Sequence, residues 1–151
     1  MALRGAAAGA LATVAMSAAM FGFKKLGLMG EMPPEKITSR VLDRLGVSRS
    51  RSAQDLLASV NHVAFGAGGG AGFGVLRHRV PGSVPTLPLG VLFASAIWAV
   101  SYAGWAPALG LMPPPTKDRV GRQQSMIVAH FIYGATLAYL VDRSRPSGSV
   151  D

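Results

Sequence analysis

Four long runs without a charged side chain divide this chain of 151 residues, and they constrain its fold more than any other feature. They cover about residues 5–23, 56–76, 87–105 and 125–141. At about 1.5 Å per helical residue, a run of about 19 residues spans roughly 28 Å, close to the thickness of one bilayer hydrocarbon core. Charged residues make up only 15% of the chain and crowd between the runs. The pattern predicts an all-α integral membrane protein with four spans.

The chain also repeats itself. The tetrapeptide LGLM at residues 26–29 returns at 109–112, an offset of 109 − 26 = 83, and two prolines follow each copy. Residues 62–67 (HVAFGA) return as 130–135 (HFIYGA), an offset of 130 − 62 = 68, so the first copy carries 83 − 68 = 15 additional residues between the two motifs. We therefore predict a four-helix bundle made of two duplicated transmembrane hairpins. It forms a single membrane domain over residues 1–151, with repeat 1 at about 5–77 and repeat 2 at about 86–143.

The additional residues of the first copy contain a short amphipathic pattern at about residues 34–46. Apolar side chains recur on one face and basic ones elsewhere, Pro34 suits the first helical position, and Gly46 suits the end. The pattern predicts a helix that lies in the membrane interface or packs over the end of the bundle.

Small residues recur at every fourth position inside the apolar runs. Glycines at this spacing let two helix backbones approach closely in a bilayer, whereas they weaken a soluble helix. The second run lacks the lysine and hydroxyl of a phosphate-binding loop. We predict helix-packing roles for Gly9, Thr13, Gly66, Gly70, Gly74, Gly134 and Ala138.

His62 and His130 are equivalent in the two repeats and are the candidate site residues. Two histidines on facing helices can ligate haem b, or they can form a metal or proton site. The alternative is structural: each imidazole bonds a neighbouring carbonyl or helix and fixes its hairpin. Two histidines supply only half of a usual metal shell, so the sequence favours no cofactor, with haem as the cofactor to consider.

Composition excludes several other functions. The chain has no cysteine, so disulfides, thiolate metal sites and a cysteine nucleophile are absent. The net charge of +8 indicates anionic lipid headgroups as partners rather than nucleic acid, because the basic residues flank apolar runs. Every acidic residue lies in a loop or near the end of a run, so a buried general base is lacking and an enzyme is disfavoured.

Four spans would place both termini on one side of the membrane. That side would carry five basic residues, including Arg145, and the other side ten, so the positive-inside rule predicts termini outside the cytoplasm. A signal peptide cleaved after residues 17–19 is the alternative for the first run. The repeat argues against it, because the matching run of the second copy lies in mid-chain.

The second LGLM, its two prolines, and the later His-x-x-Tyr-Gly motif resemble the YagU-type family of small bacterial inner-membrane proteins of unknown function. The residues that carry the resemblance are Leu109, Gly110, Leu111, Pro113, Pro114, His130 and Gly134. The resemblance implies a multi-pass protein of the bacterial inner membrane and transfers no reaction.

The sequence thus predicts an integral membrane protein of unknown activity with a structural or accessory role. It would contact the lipid bilayer and either a larger membrane complex or further copies of itself. The alternatives are a bis-histidine haem- or metal-binding redox subunit and a small transporter or channel.

Overall fold

The computed structural model describes residues 1–144, and over that range the chain is helical without β-strands. The helices are α1 (Ala2–Lys25), α2 (Pro33–Arg44), α3 (Arg51–Arg79), α4 (Thr86–Trp98), α5 (Ala106–Ala108) and α6 (Val120–Arg143). A π-helical segment (Ala99–Trp105) joins α4 to α5, and a 3₁₀ turn (Pro115–Lys117) precedes α6. Arg145, which enters the charge balance above, lies outside the described residues.

Three stretches of helix are long and apolar enough to cross a membrane: Ala2–Lys25, Thr86–Ala108 and Val120–Arg143. The fourth long helix, α3, has the length, but its composition is less apolar. Its many glycines contribute little hydropathy, and Asn61 and His62 lower it further. The described structure is therefore that of an all-helical protein with three helices suited to a bilayer.

Both LGLM segments end a helix in the same way. In the first, the Gly27 amide donates to the Lys24 carbonyl and the Leu28 amide to the Phe23 carbonyl, both at 3.0 Å. These are the two bonds of a Schellman motif, which needs a left-handed residue, and Gly27 has φ of 75°.

The second segment repeats this geometry. The Gly110 amide donates to Pro107 at 2.9 Å, the Leu111 amide donates to Ala106 at 2.8 Å, and Gly110 has φ of 63°. The last residue of each segment, Met29 or Met112, is buried in the bundle. The LGLM sequence therefore encodes a helix stop with a buried methionine anchor.

Glycines bring the helices of each half into backbone contact. On α1 and α3, Gly5 and Gly9 face Gly66, Gly70 and Gly74, and we call these five residues the glycine seam. A Cβ atom on Gly70 would lie 2.6 Å from the Gly9 Cα atom and would also meet the Gly5 carbonyl oxygen. Only glycine permits this approach.

The neighbouring residues enclose the seam and extend it. A Cβ on Gly66 would overlap the Thr13 hydroxyl, which itself donates to the Gly9 carbonyl at 2.8 Å.

The second helix pair, α4 and α6, makes a similar close contact. A Cβ on Gly90 would lie 2.7 Å from the Ala138 Cβ, and one on Gly134 would meet the Gly90 carbonyl. All seven residues with predicted packing roles thus lie at helix contacts, and the energetic role of each stays a prediction.

Helix α6 joins the two halves. It packs against α4 on one side and α1 on the other, and its Tyr133 hydroxyl donates to the Gly66 carbonyl of α3 at 2.6 Å. Phe73, Met20 and Leu137 fill the space between the helices and are fully buried. The sequence predicts a break or kink at Pro107, before the second LGLM, and the helix ends at Ala108, one residue after this proline.

The glycine seam yields a matched pair of substitutions. We expect G70A to lower the free energy of unfolding by about 1–3 kcal/mol, since the new methyl group meets backbone atoms that cannot rotate away. Gly68 has nothing within 4 Å of its added Cβ, so G68A should leave stability within about 0.5 kcal/mol. SDS titration of detergent-purified protein, followed by circular dichroism, measures both. Equal effects of the two substitutions would contradict a seam held by backbone contact.

Candidate functional site

A cavity of about 380 Å³ lies between α1, α2, α3, the end of α4, the π-helical segment and α6. Its walls are apolar side chains with a few neutral polar groups, and the described lining contains no Asp, Glu, Lys or Arg. Both candidate histidines line it, His62 from α3 and His130 from α6. The structure thus brings the two sequence-predicted site residues into one cavity.

His130 is held by its own helix. Its Nδ1 atom lies 2.8 Å from the Met126 carbonyl oxygen, one turn earlier. Because a carbonyl only accepts, Nδ1 must carry the proton and donate it, so Nε2 of the neutral ring is an acceptor. Nε2 makes no hydrogen bond within residues 1–144 and is not among the fully enclosed unpartnered atoms, and the residue lines the cavity.

His62 is linked to a different helix. Its Nδ1 lies 3.2 Å from the Ser17 hydroxyl of α1, and either atom can be the donor. This bond ties α3 to α1 one turn beyond the glycine seam. Each imidazole therefore makes the kind of bond that the structural interpretation of the histidines expects, while both Nε2 atoms stay available for a ligand.

Helix α2 forms the roof of the cavity. Its first turn and one face supply Pro33, Pro34, Ile37, Thr38, Val41 and Leu42 to the lining. Its position is fixed at both ends: Lys24 of α1 pairs with Glu35 at 3.0 Å, and the Arg40 side chain donates to the Gly110 carbonyl at 2.7 Å. Exposed apolar side chains lie at the gap between α2 and α3, where Val41, Leu57 and Phe65 mark the mouth.

The π-helical segment supplies side chains to two separate sites. Ser101 and Trp105 line the cavity, while Tyr102 between them is buried and points elsewhere. A π-helical turn has more residues per turn than an α-helix and often occurs at functional sites.

Tyr102 instead reaches a buried ion pair that the sequence analysis missed. Its hydroxyl donates to Asp118 Oδ2 at 2.7 Å, and Asp118 Oδ1 accepts from Arg122 Nη1 at 2.7 Å. Both charged side chains are more than 90% shielded from solvent. The only signal in the sequence is the four-residue spacing of an acid and a base at the start of a helix, which is common on exposed surfaces.

Arginines bond the LGLM segments of both halves. At the start of α6, Arg122 Nε donates to the Met29 carbonyl at 2.9 Å, and Arg119, which precedes the helix, donates to the Gly27 carbonyl at 3.3 Å. From α2, Arg40 and Arg44 donate to the Gly110 and Leu109 carbonyls, each at 2.7 Å. We call these four residues the arginine caps, since they bond carbonyls just past a helix end.

A second polar cluster lies at the opposite end of the bundle. The buried Arg77 donates from Nε to the Thr86 hydroxyl at 2.9 Å, and that hydroxyl donates to Asp142 at 2.8 Å. Arg77 also bonds the Val80 carbonyl of the turn at 3.1 Å. The cluster joins α3, α4 and α6 where each meets the turn or the terminus.

The donor set of the cavity fits a metal poorly. Within residues 1–144, no group of three or more His, Cys, Asp or Glu side chains could hold a metal ion. Haem needs only two axial histidines, and each candidate has a free Nε2 with Nδ1 engaged, as haem ligands usually have. The lining offers no cation for the haem propionates, however.

Comparison with known proteins identifies a family whose function is unknown. The profile of a family described as "Family of unknown function (DUF6789)" matches residues 1–150. No curated protein and no solved structure matches the chain.

The buried ion pair should be much more important for stability than an exposed one. In D118A, Arg122 stays buried without its counter-charge, so we expect the free energy of unfolding to fall by about 3–5 kcal/mol. The exposed pair Arg51–Asp55 is the control, and D55A should cost less than about 1 kcal/mol. SDS titration in detergent measures both, and similar losses for D118A and D55A would contradict the assigned role.

Proposed function

We propose that this chain, which belongs to the family of unknown function DUF6789, is a four-span integral membrane protein with a structural or accessory role. The observation that carries the proposal is the distribution of side chains over the four long helices. Large apolar residues are exposed along all of them, for example Leu11, Val63, Leu92 and Phe131. The buried charges lie in the two polar clusters, one at each end. An exposed apolar belt between two polar ends suits a bilayer.

The contacts of α3 support its crossing the membrane together with α1. The two helices run antiparallel, because Gly5 contacts Gly74 and Gly70 at one end while Ser17 contacts His62 at the other. If α1 spans the bilayer, these residues of α3 lie at the same depth. The glycines that reduce the hydropathy of α3 are the ones that permit this pairing.

The use of the polar side chains supports a structural or accessory role rather than catalysis. The hydroxyls of Thr13, Ser95 and Ser125 bond carbonyls one turn back in their own helices. Such bonds satisfy a hydroxyl in an apolar environment and leave no activated nucleophile. The buried Asp118 is committed to Tyr102 and Arg122.

We further propose that the two hairpins are copies of one ancestral hairpin. Three observations support duplication: the identical Schellman bonds at Gly27 and Gly110, the glycine contacts within both helix pairs, and the presence of both histidines at one cavity. The LGLM and histidine motifs also support a relationship to the YagU-type proteins and, with it, a location in the bacterial inner membrane.

The side that carries the LGLM segments is the candidate for contact with anionic headgroups. Ten basic residues belong to that side in a four-span arrangement. The arginine caps use four of them to bond carbonyls, and Lys24 pairs with Glu35. The remaining positive charge would favour the cytoplasmic side and its anionic lipids. Exposed apolar surface leaves room for a larger complex or for self-association.

The spanning of α3 can be tested with single cysteines, since the chain has none of its own. Ser48, Ser83 and Thr116 are exposed and lie in three different connecting segments. We expect a membrane-impermeant maleimide applied to intact cells to label S83C only, because Ser83 lies outside and the other two lie in the cytoplasm. All three should react after permeabilisation. Labelling of S48C and S83C from the same side would show that α3 does not cross.

A bis-histidine haem is the second candidate, favoured by the two free Nε2 atoms at one cavity. If it is correct, protein purified from haem-supplied cells shows a Soret band that shifts on reduction with dithionite. H62A and H130A should each abolish the band, whereas H78A should keep it, because His78 is exposed at the far end of α3. A spectrum without visible absorption would remove this candidate and leave the structural role.

A further inference from the structure

We infer that the cavity binds an uncharged, lipid-soluble aromatic alcohol, such as a phenol or a quinol, whose hydroxyl donates to His130 Nε2. The inference goes beyond the proposed structural role. The entry of the ligand from the bilayer rests on the proposed membrane insertion, whereas binding to the purified protein does not.

The lack of charged side chains in the described lining favours a neutral ligand. No charged side chain faces the cavity among the described residues, so a phosphate, a carboxylate or an ammonium group would lose its hydration without gaining a partner. This argues against a phospholipid headgroup and against the propionates of haem. Arg40 and Arg44 of the helix above the cavity bond carbonyls outside it.

The walls of the cavity select an aromatic ring. Phe65 and Trp105 meet at its edge with ring centroids 6.4 Å apart. The sulfur-containing side chains Met16, Met20 and Met126 line the interior. Thioethers and aromatic rings both make favourable contacts with the faces and edges of a further ring.

His130 selects a hydroxyl donor. Its Nδ1–H donates to the Met126 carbonyl, so Nε2 can only accept while the ring is neutral. An acceptor at an apolar cavity gains a hydrogen bond from a ligand hydroxyl that the apolar walls do not supply. A ligand that carries only acceptors, such as an ether or a quinone, cannot supply this bond.

The mouth of the cavity indicates access from the lipid phase. It opens between α2 and α3, where Val41, Leu57 and Phe65 expose apolar surface. The polar Asn61 is the fourth exposed residue of the lining. Helix α2 covers the cavity from the side of the LGLM segments and would hold the ligand below it.

The experiment compares para-nonylphenol with its methyl ether, which has the same ring and tail but no hydroxyl donor. Trp105 reports binding through its fluorescence. The only other tryptophan is Trp98, whose buried Nε1 has no partner among the described residues, so W98F removes the background without breaking a hydrogen bond. We expect W98F protein in detergent to bind the phenol about tenfold more tightly than the ether, the value of one hydrogen bond.

Two further variants in the W98F background assign the preference to one atom. H130N keeps an amide donor for the Met126 carbonyl, so we expect it to fold. Its shorter side chain cannot bring the remaining acceptor, Oδ1, to the position of Nε2, so its preference for the phenol should vanish. H78A alters an exposed histidine at the far end of α3 and should keep the tenfold preference.

Three results would overturn the inference. In the first, W98F protein binds the phenol and the ether with equal affinity. In the second, H78A and H130N lose the preference for the phenol equally. In the third, the purified protein binds the phenol only after haem is removed. Cysteine labelling tests membrane insertion independently, so a failure of the cavity and a failure of the four-span arrangement can be told apart.

Discussion

The direct contact of two glycine backbones on α1 and α3 is the constraint on which the rest of the structure depends. Inside a bilayer, lipid tails cover apolar side chains as well as a neighbouring helix does, so helices associate through close packing and polar bonds. The seam at Gly5, Gly9 and Gly70 provides such packing. With α1 and α3 this close, α6 can reach both of them, and its Tyr133 bonds a carbonyl of the seam.

The cavity begins where the close packing of α1 against α3 ends. Beyond Gly66 the residues of α1 and α3 become larger, with Met16 and Met20 on one helix and His62 on the other. The helices separate there, and the π-helical segment turns Ser101 and Trp105 towards the space while Tyr102 points away. Helix α2, which occurs only in the first half of the chain, closes the space from above. One hairpin thus supplies both the close contact and the roof of the cavity.

Local sequence rules predicted the long helices and the amphipathic α2 with its end at Gly46, because hydrophobic patterning and helix ends act over a few residues. The repeat marked the two LGLM segments, but their role as helix stops with left-handed Gly27 and Gly110 came from the structure. The ion pair of Asp118 with Arg122 was missed, because its burial depends on Tyr102 and Met29, which lie far away in the sequence. The π-helical segment was missed for a similar reason: nothing in residues 99–105 alone favours the wider helix, and Pro107 suggested a break instead. The histidines could be paired by the repeat, but the uncharged lining of their cavity comes from six separate elements.

The arginine caps have a consequence for biosynthesis. The carbonyls of Gly27 and Met29 are bonded by Arg119 and Arg122, which are translated about 90 residues later, while Arg40 and Arg44 are made before the Leu109 and Gly110 carbonyls that they bond. Each half therefore completes the other, and a nascent chain that ends before Arg119 leaves the Gly27 and Met29 carbonyls without these arginine donors.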